Sequence, residues 1–104
     1  MQASYAVNFS REMGCTETEW LGWLPAAIGK HTWHRDGSSV HVCITQEGQA
    51  LGTLVIHWSV GPLRRIALVA LPCLHVHFQF EGLGETQRYA FMRRFDLYMQ
   101  RGGG

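Results

Sequence analysis

The chain predicts an α+β domain: an antiparallel sheet of three to five strands, with a kinked N-terminal helix and a long C-terminal helix packed on one face. Two observations carry the prediction. Three segments alternate apolar and polar residues with the period of two that a half-buried strand requires. In the first, Val40, Val42 and Ile44 alternate with His41, Cys43 and Thr45. In the others, Leu54, Ile56 and Trp58 alternate with Val55 and His57, and Leu74, Val76, Phe78 and Phe80 alternate with Cys73, His75 and His77. The second observation is that helix-period segments flank these strands, giving the order (β)-α-β-β-β(-β)-α, the α+β way of covering one sheet face.

Taken in order, residues 3–10 suggest a short strand with Tyr5, Val7 and Phe9 on one side. Thr16 and Glu19 then make the S/T-x-x-E capping box, in which each side chain satisfies an orphan donor at a helix start. The helix that follows carries Trp20, Trp23, Leu24, Ala27 and Ile28 along one broad side. Pro25 removes its hydrogen bond to Leu21 and predicts a kink or two short helices, and Gly29 supplies the C-terminal cap. Residues 31–39, containing Asp36-Gly37, are expected as loop or hairpin before the strand at 40–45. The turn around Gly48 makes the strand at 51–60 its antiparallel neighbour. Gly61-Pro62 punctuates, residues 65–70 form a further apolar run, and Leu71-Pro72 either turns the chain into the strand at 73–80, the favoured reading, or bends one long edge strand. Phe91, Met92, Phe95 and Met99 recur at helical spacing, which predicts a helix over 85–101. A single domain over 1–101 with a flexible tail at 102–104 is the expected organisation.

A chain of 104 residues, 46% hydrophobic and 12% aromatic, is long enough to bury about two thirds of its unfolded surface. Only 16% of its residues are charged, against about 25% in typical globular proteins, so a homo-oligomer or a protein partner is expected. The net charge of +1 divides into −2 over residues 1–60 and +3 over 61–104, too balanced for a nucleic-acid coat. Three cysteines without C-x-x-C spacing indicate neither a disulfide framework nor a zinc ribbon, and reduced thiols in a cytoplasmic protein are the simplest reading. Residues 1–14 lack an apolar signal core, and the longest apolar run, 66–71, is far below the roughly 20 residues of a membrane span.

The polar sheet face is where function is expected. His41, Cys43 and His57, with Cys73, His75 and His77, could bring nitrogen and sulfur ligands from neighbouring strands to one metal ion. The competing reading is an open or subunit-covered face wetted by imidazoles and hydroxyls, and no cofactor is indicated. His31 and His34 form an H-x-x-H pair without the glutamate of the metalloprotease signature. Catalysis by Cys73 would need an oriented imidazole, and residues two apart on a strand lie nearly 7 Å from one another. Arg64 and Arg65, with Arg88, Arg93 and Arg94, could meet an acidic partner or a phosphate, or form a solvated surface. Trp33, set among His31, His34 and Arg35, is the aromatic expected outside the core, available to a ligand or an interface.

The ending Arg101-Gly102-Gly103-Gly104 resembles the terminal Gly-Gly of ubiquitin-like modifiers and sulfur carriers. That resemblance covers the tail alone. In those families it follows a β-grasp domain, whereas here it follows a helix and ends in a third glycine, so the tail is read as a helix terminator. The expected function is that of a small non-catalytic binding or accessory protein, using its His/Cys/Thr sheet face or an aromatic-lined pocket between helix and sheet. A metal-binding protein or small enzyme on the same face is the alternative.

Overall fold

The computed structural model describes residues 4–101. Its elements are β1 (Asn8–Met13), α1 (Glu17–Ile28), β2 (Thr32–Asp36), β3 (Ser39–Gln46), β4 (Gln49–Val60), β5 (Arg64–Ile66), β6 (Val69–Leu71), β7 (Leu74–Glu81) and α2 (Glu85–Arg101). Five strands form one antiparallel sheet in the order β1-β7-β4-β3-β2, while β5 and β6 pair only with each other. This is the α+β architecture that the alternating segments and flanking helices predict.

The alternation decides which face is buried. Val40, Val42 and Ile44 on β3, Leu54, Ile56 and Trp58 on β4, and Leu74, Val76, Phe78 and Phe80 on β7 are all buried beneath the helices. Trp20 of α1 meets Trp58 at 5.8 Å and Phe95 of α2 at 6.0 Å between ring centroids, both edge-on. Phe95 stands perpendicular to Phe78 at 5.5 Å, the arrangement that brings a ring edge against a neighbouring face. His41, His57 and His77 therefore lie on the sheet face opposite Phe91 and Phe95.

Local chemistry fixes the ends of the elements. At the start of α1, Thr16 Oγ1 accepts from the Glu19 N–H at 3.1 Å, and Glu19 Oε1 accepts from the Thr16 N–H at 2.9 Å. The β3–β4 turn places both Glu47 (φ 52°) and Gly48 (φ 80°) in the left-handed region, the type I′ geometry suited to two-residue hairpins. At the start of α2, Gln87 Oε1 accepts from the Gly84 N–H, the reach-back half of a capping box.

One expectation about elements changes and two are narrowed. The first strand begins at Asn8 and runs to Met13, with Phe9, Arg11 and Met13 toward the helices, so the expected strand at 3–10 was placed too early. Val7 is exposed, and residue 3 lies outside the described residues. Pro25 leaves α1 as one helix rather than two, because it falls in the last turn and removes only one bond. The segment 31–39 is a hairpin whose first arm, β2, is a sheet edge. Pro72 breaks the chain between β6 and β7, consistent with the expected turn, and the tail 102–104 lies outside the described residues. No described helix is long and apolar enough to cross a membrane.

Candidate functional site: the polar sheet face and the apolar arm

On the face away from the helices, a row of four side chains crosses four strands in register: Ser10, His77, His57 and Ser39. The Ser10 hydroxyl and His77 Nδ1 share a hydrogen bond of 2.7 Å, and the Ser39 hydroxyl and His57 Nδ1 share one of 3.0 Å. One strand repeat along, His34 and His41 oppose each other with nearly parallel rings, 5.0 Å between centroids and 4° between planes. Cys43 sits farther along β3 between Thr32 and Thr53. A shallow open hollow of about 430 Å³ beside the row is lined by Ser10, Glu12, His57, Ser59, His75 and His77.

At the end of the sheet nearest β5 and β6, three chemically different side chains gather. Glu12 and His75 are direct partners across the β1–β7 ladder, and Cys73 precedes β7 by one residue. One ligand atom of each lies within 4.8 Å of the other two. The Cys73 thiol donates to Glu12 Oε2 at 3.1 Å, and Arg64 pairs with the same oxygen at 2.8 Å. These bonds hold the Glu12 carboxyl below its usual range, first through the thiol and then through the Arg64 charge. The same hydrogen bond, aided by burial, pushes the Cys73 thiol up. A nucleophilic cysteine needs the opposite shift, so the arrangement holds a thiol rather than an activated thiolate.

Among the described residues, no other trio of His, Cys, Asp or Glu offers ligand atoms this close together. Of the six sequence candidates, Cys73 and His75 are therefore brought together, while His41, Cys43, His57 and His77 are spread across the face. Glu12 was missed because the first strand was expected to end at Ser10. Its signal was the polar alternation Ser10, Glu12 against Phe9, Met13, interrupted by Arg11 facing inward.

Beyond this cluster, β5 and β6 project as a two-stranded arm. Val60, Leu63, Ile66, Leu68, Val69 and Leu71 are all exposed, Leu68 completely and Val60 at 69%. Ala67 at its tip holds φ 55°, a left-handed conformation uncommon outside glycine.

The remaining candidates are dispersed. Arg64 and Arg65 stand on the arm. Arg88 instead ties down the opposite end of the sheet, donating to the Tyr5 carbonyl at 2.9 Å and the Leu83 carbonyl at 2.8 Å. Arg94 lies over the Tyr98 ring, 4.5 Å from its centroid, and donates to the Ala26 carbonyl in the last turn of α1, where a cation complements the helix dipole. Arg93 is exposed on α2. The five arginines do not converge.

Trp33 pairs with buried Val42 on the helix-facing side and is half-buried against the core, a correction to its expected place outside it. His31 and His34 separate. His31 is half-buried near Phe91 and accepts from the Thr45 N–H at 3.1 Å, and burial, then Lys30 and Arg94, lower its pKa. A second omission is the triad under the sheet edge: Asp96 of α2 accepts from the Tyr5 hydroxyl at 2.6 Å and from Arg11 at 2.7 Å. Asp96 in the apolar stripe of Met92, Phe95 and Met99 was its sequence signal.

No protein-family model, no curated protein and no solved structure matches the chain.

Proposed function

We propose that this chain is a small accessory protein that acts by binding rather than by catalysis, and that its first partner is a second copy of itself joined through the β5–β6 arm. The observation carrying this reading is the arm's exposed apolar side chains, grouped on a hairpin whose outer edges pair with no other strand among the described residues. Contiguous apolar surface of this kind marks interfaces, and free strand edges add main-chain donors and acceptors to it.

Charge favours a second copy over an acidic partner. Within the hairpin, Ile66 pairs with Val69 and Arg64 with Leu71, so these four side chains share one face. Arg65 and Ala70 form the other. Arg64 is already neutralised by Glu12 of its own chain, so two such faces can meet across a twofold axis without opposing free charges. The polar sheet face, with its serine–histidine bonds, has less need of cover.

Sedimentation from micromolar to near-millimolar concentration tests the reading. The expected result is a concentration-dependent dimer that Ile66→Asp and Leu68→Asp, each at an exposed site, convert to monomer. A strict monomer over that range, or a dimer unchanged by both variants, overturns it.

A further inference from the structure

We infer that Glu12, Cys73 and His75 form a binding site for a divalent transition metal, with Zn²⁺ the ion that best suits their donors. The site shares Glu12 with the Arg64 ion pair at the base of the arm but uses none of the arm's apolar side chains. A thiolate sulfur, an imidazole nitrogen and a carboxylate oxygen are the three donor types zinc takes from proteins, and three protein ligands leave a coordination position for water. Calcium and magnesium prefer all-oxygen sets, which this trio does not offer.

The backbone preorganises the trio from three directions. Antiparallel pairing sets Glu12 directly opposite His75. The Gly61 N–H donates to the Cys73 carbonyl at 2.9 Å, which fixes the residue after the Pro72 break. Gly61 also lacks the side chain that would obstruct the imidazole: a Cβ there would stand 2.5 Å from His75 Nε2. Gly61 thus leaves room for the imidazole as it stands, and its own φ is not among the positive ones. Both Glu12 and His75 are exposed, so an ion can enter without opening the core.

Loading exchanges one thiol proton for the ion. Zn²⁺ forms a bond to Cys73 Sγ as the S–H bond breaks and its proton leaves to solvent, with no change of oxidation state. Two anionic ligands then compensate the ion, and Arg64 gives up Glu12 as its counter-charge. Because Cys73 and Arg64 flank the arm, the ion would also fasten the arm's base to β1.

Titration of tag-free, reduced protein with Co²⁺ as a spectroscopic substitute tests the site. The expected result is one ion per chain with a thiolate-to-cobalt charge-transfer band, displaced by Zn²⁺, and close to one thiol proton released when calorimetry is repeated in buffers of different ionisation enthalpy. Cys73→Ser should abolish the band, while Cys43→Ser and His57→Ala should leave it unchanged. Glu12→Gln and His75→Ala, at exposed positions that leave the fold intact, should each weaken binding at least about tenfold, since even loss of an outer-shell partner costs that much. Absence of a thiolate band in the parent protein, its survival in Cys73→Ser, or unchanged affinity in both exposed variants overturns the assignment.

Discussion

The sheet body and the arm are built from similar residues and meet opposite fates. Ile56, Trp58 and Val76 in the body are fully buried, whereas Ile66, Val69 and Leu71 in the arm are 57%, 55% and 41% exposed. The difference lies in what stands above each strand. α1 and α2 cover the five-stranded sheet, while no described element packs a second layer on the arm. Burial belongs to a pair of layers rather than to a sequence segment. The body's apolar residues therefore hold the fold, and the arm's remain available to another molecule.

Replacing Phe95 should have the largest effect on the body. Phe95→Ala removes a fully buried ring between Trp20 and Phe78, and should cost about 3 to 5 kcal/mol in denaturant unfolding. That is a large part of the roughly 5 to 15 kcal/mol holding a typical domain together. Near-parental stability would mean the helices do not carry the core.

Asp96→Ala should cost less, about 1 to 3 kcal/mol, because it leaves the Tyr5 hydroxyl and the Arg11 guanidinium without their shared acceptor. Equal melts for parent and variant would reduce this triad to a surface contact.

The same triad sharpens the contrast through pH. Burial first, then the hydrogen bond and charge of Asp96, push Tyr5 from an ordinary 10 up to about 12. The folded state thus holds this proton more tightly than the unfolded chain. Its stabilisation is complete below pH 10 and is lost as pH rises from 10 to about 12. Buried Cys15, raised from 9 to about 11, adds a loss of the same sign beginning near pH 9. Urea midpoints measured across this range should fall more steeply in the parent than in Tyr5→Phe. Parallel profiles would remove Tyr5 from the account.

The smallest effect belongs to the arm. Leu68→Ser should change unfolding free energy by no more than about 0.5 kcal/mol, as expected of a surface site, while weakening self-association. A loss of several kcal/mol would place the arm within the cooperative core and erase the distinction between the two regions.

Much of this division was legible in the residues. A period of two over Val40 to Ile44 and Leu74 to Phe80 admits one register, because a slip by one residue would bury His41 and His77. Thr16 and Glu19 announced the start of α1. The arm was legible only as an apolar run, since exposure depends on how far the helices extend and not on residues 64–71. β1 was misplaced because Arg11 interrupts its apolar side, and an inward arginine makes sense only once Asp96, 85 residues away, is known to receive it. Glu12 was lost with that shift. Trp33 looked exposed among polar neighbours because an edge strand is buried on one side only, and β2 carries too few apolar residues to reveal which.

The order β1-β7-β4-β3-β2 also sets a sequence of events during folding. β2, β3 and β4 are consecutive hairpins and can pair as soon as they are made, at little loop-closure cost. β7 must fit between β4 and β1, so the strand synthesised last joins the interior of the sheet. Until it arrives, β1 has no partner and one long edge of β4 lies open, with Leu54, Ile56 and Trp58 above it uncovered by α2. A nascent chain therefore exposes the most unpaired apolar strand surface in the interval before β7 emerges, and the β1–β7 pairing closes the longest loop in the sheet.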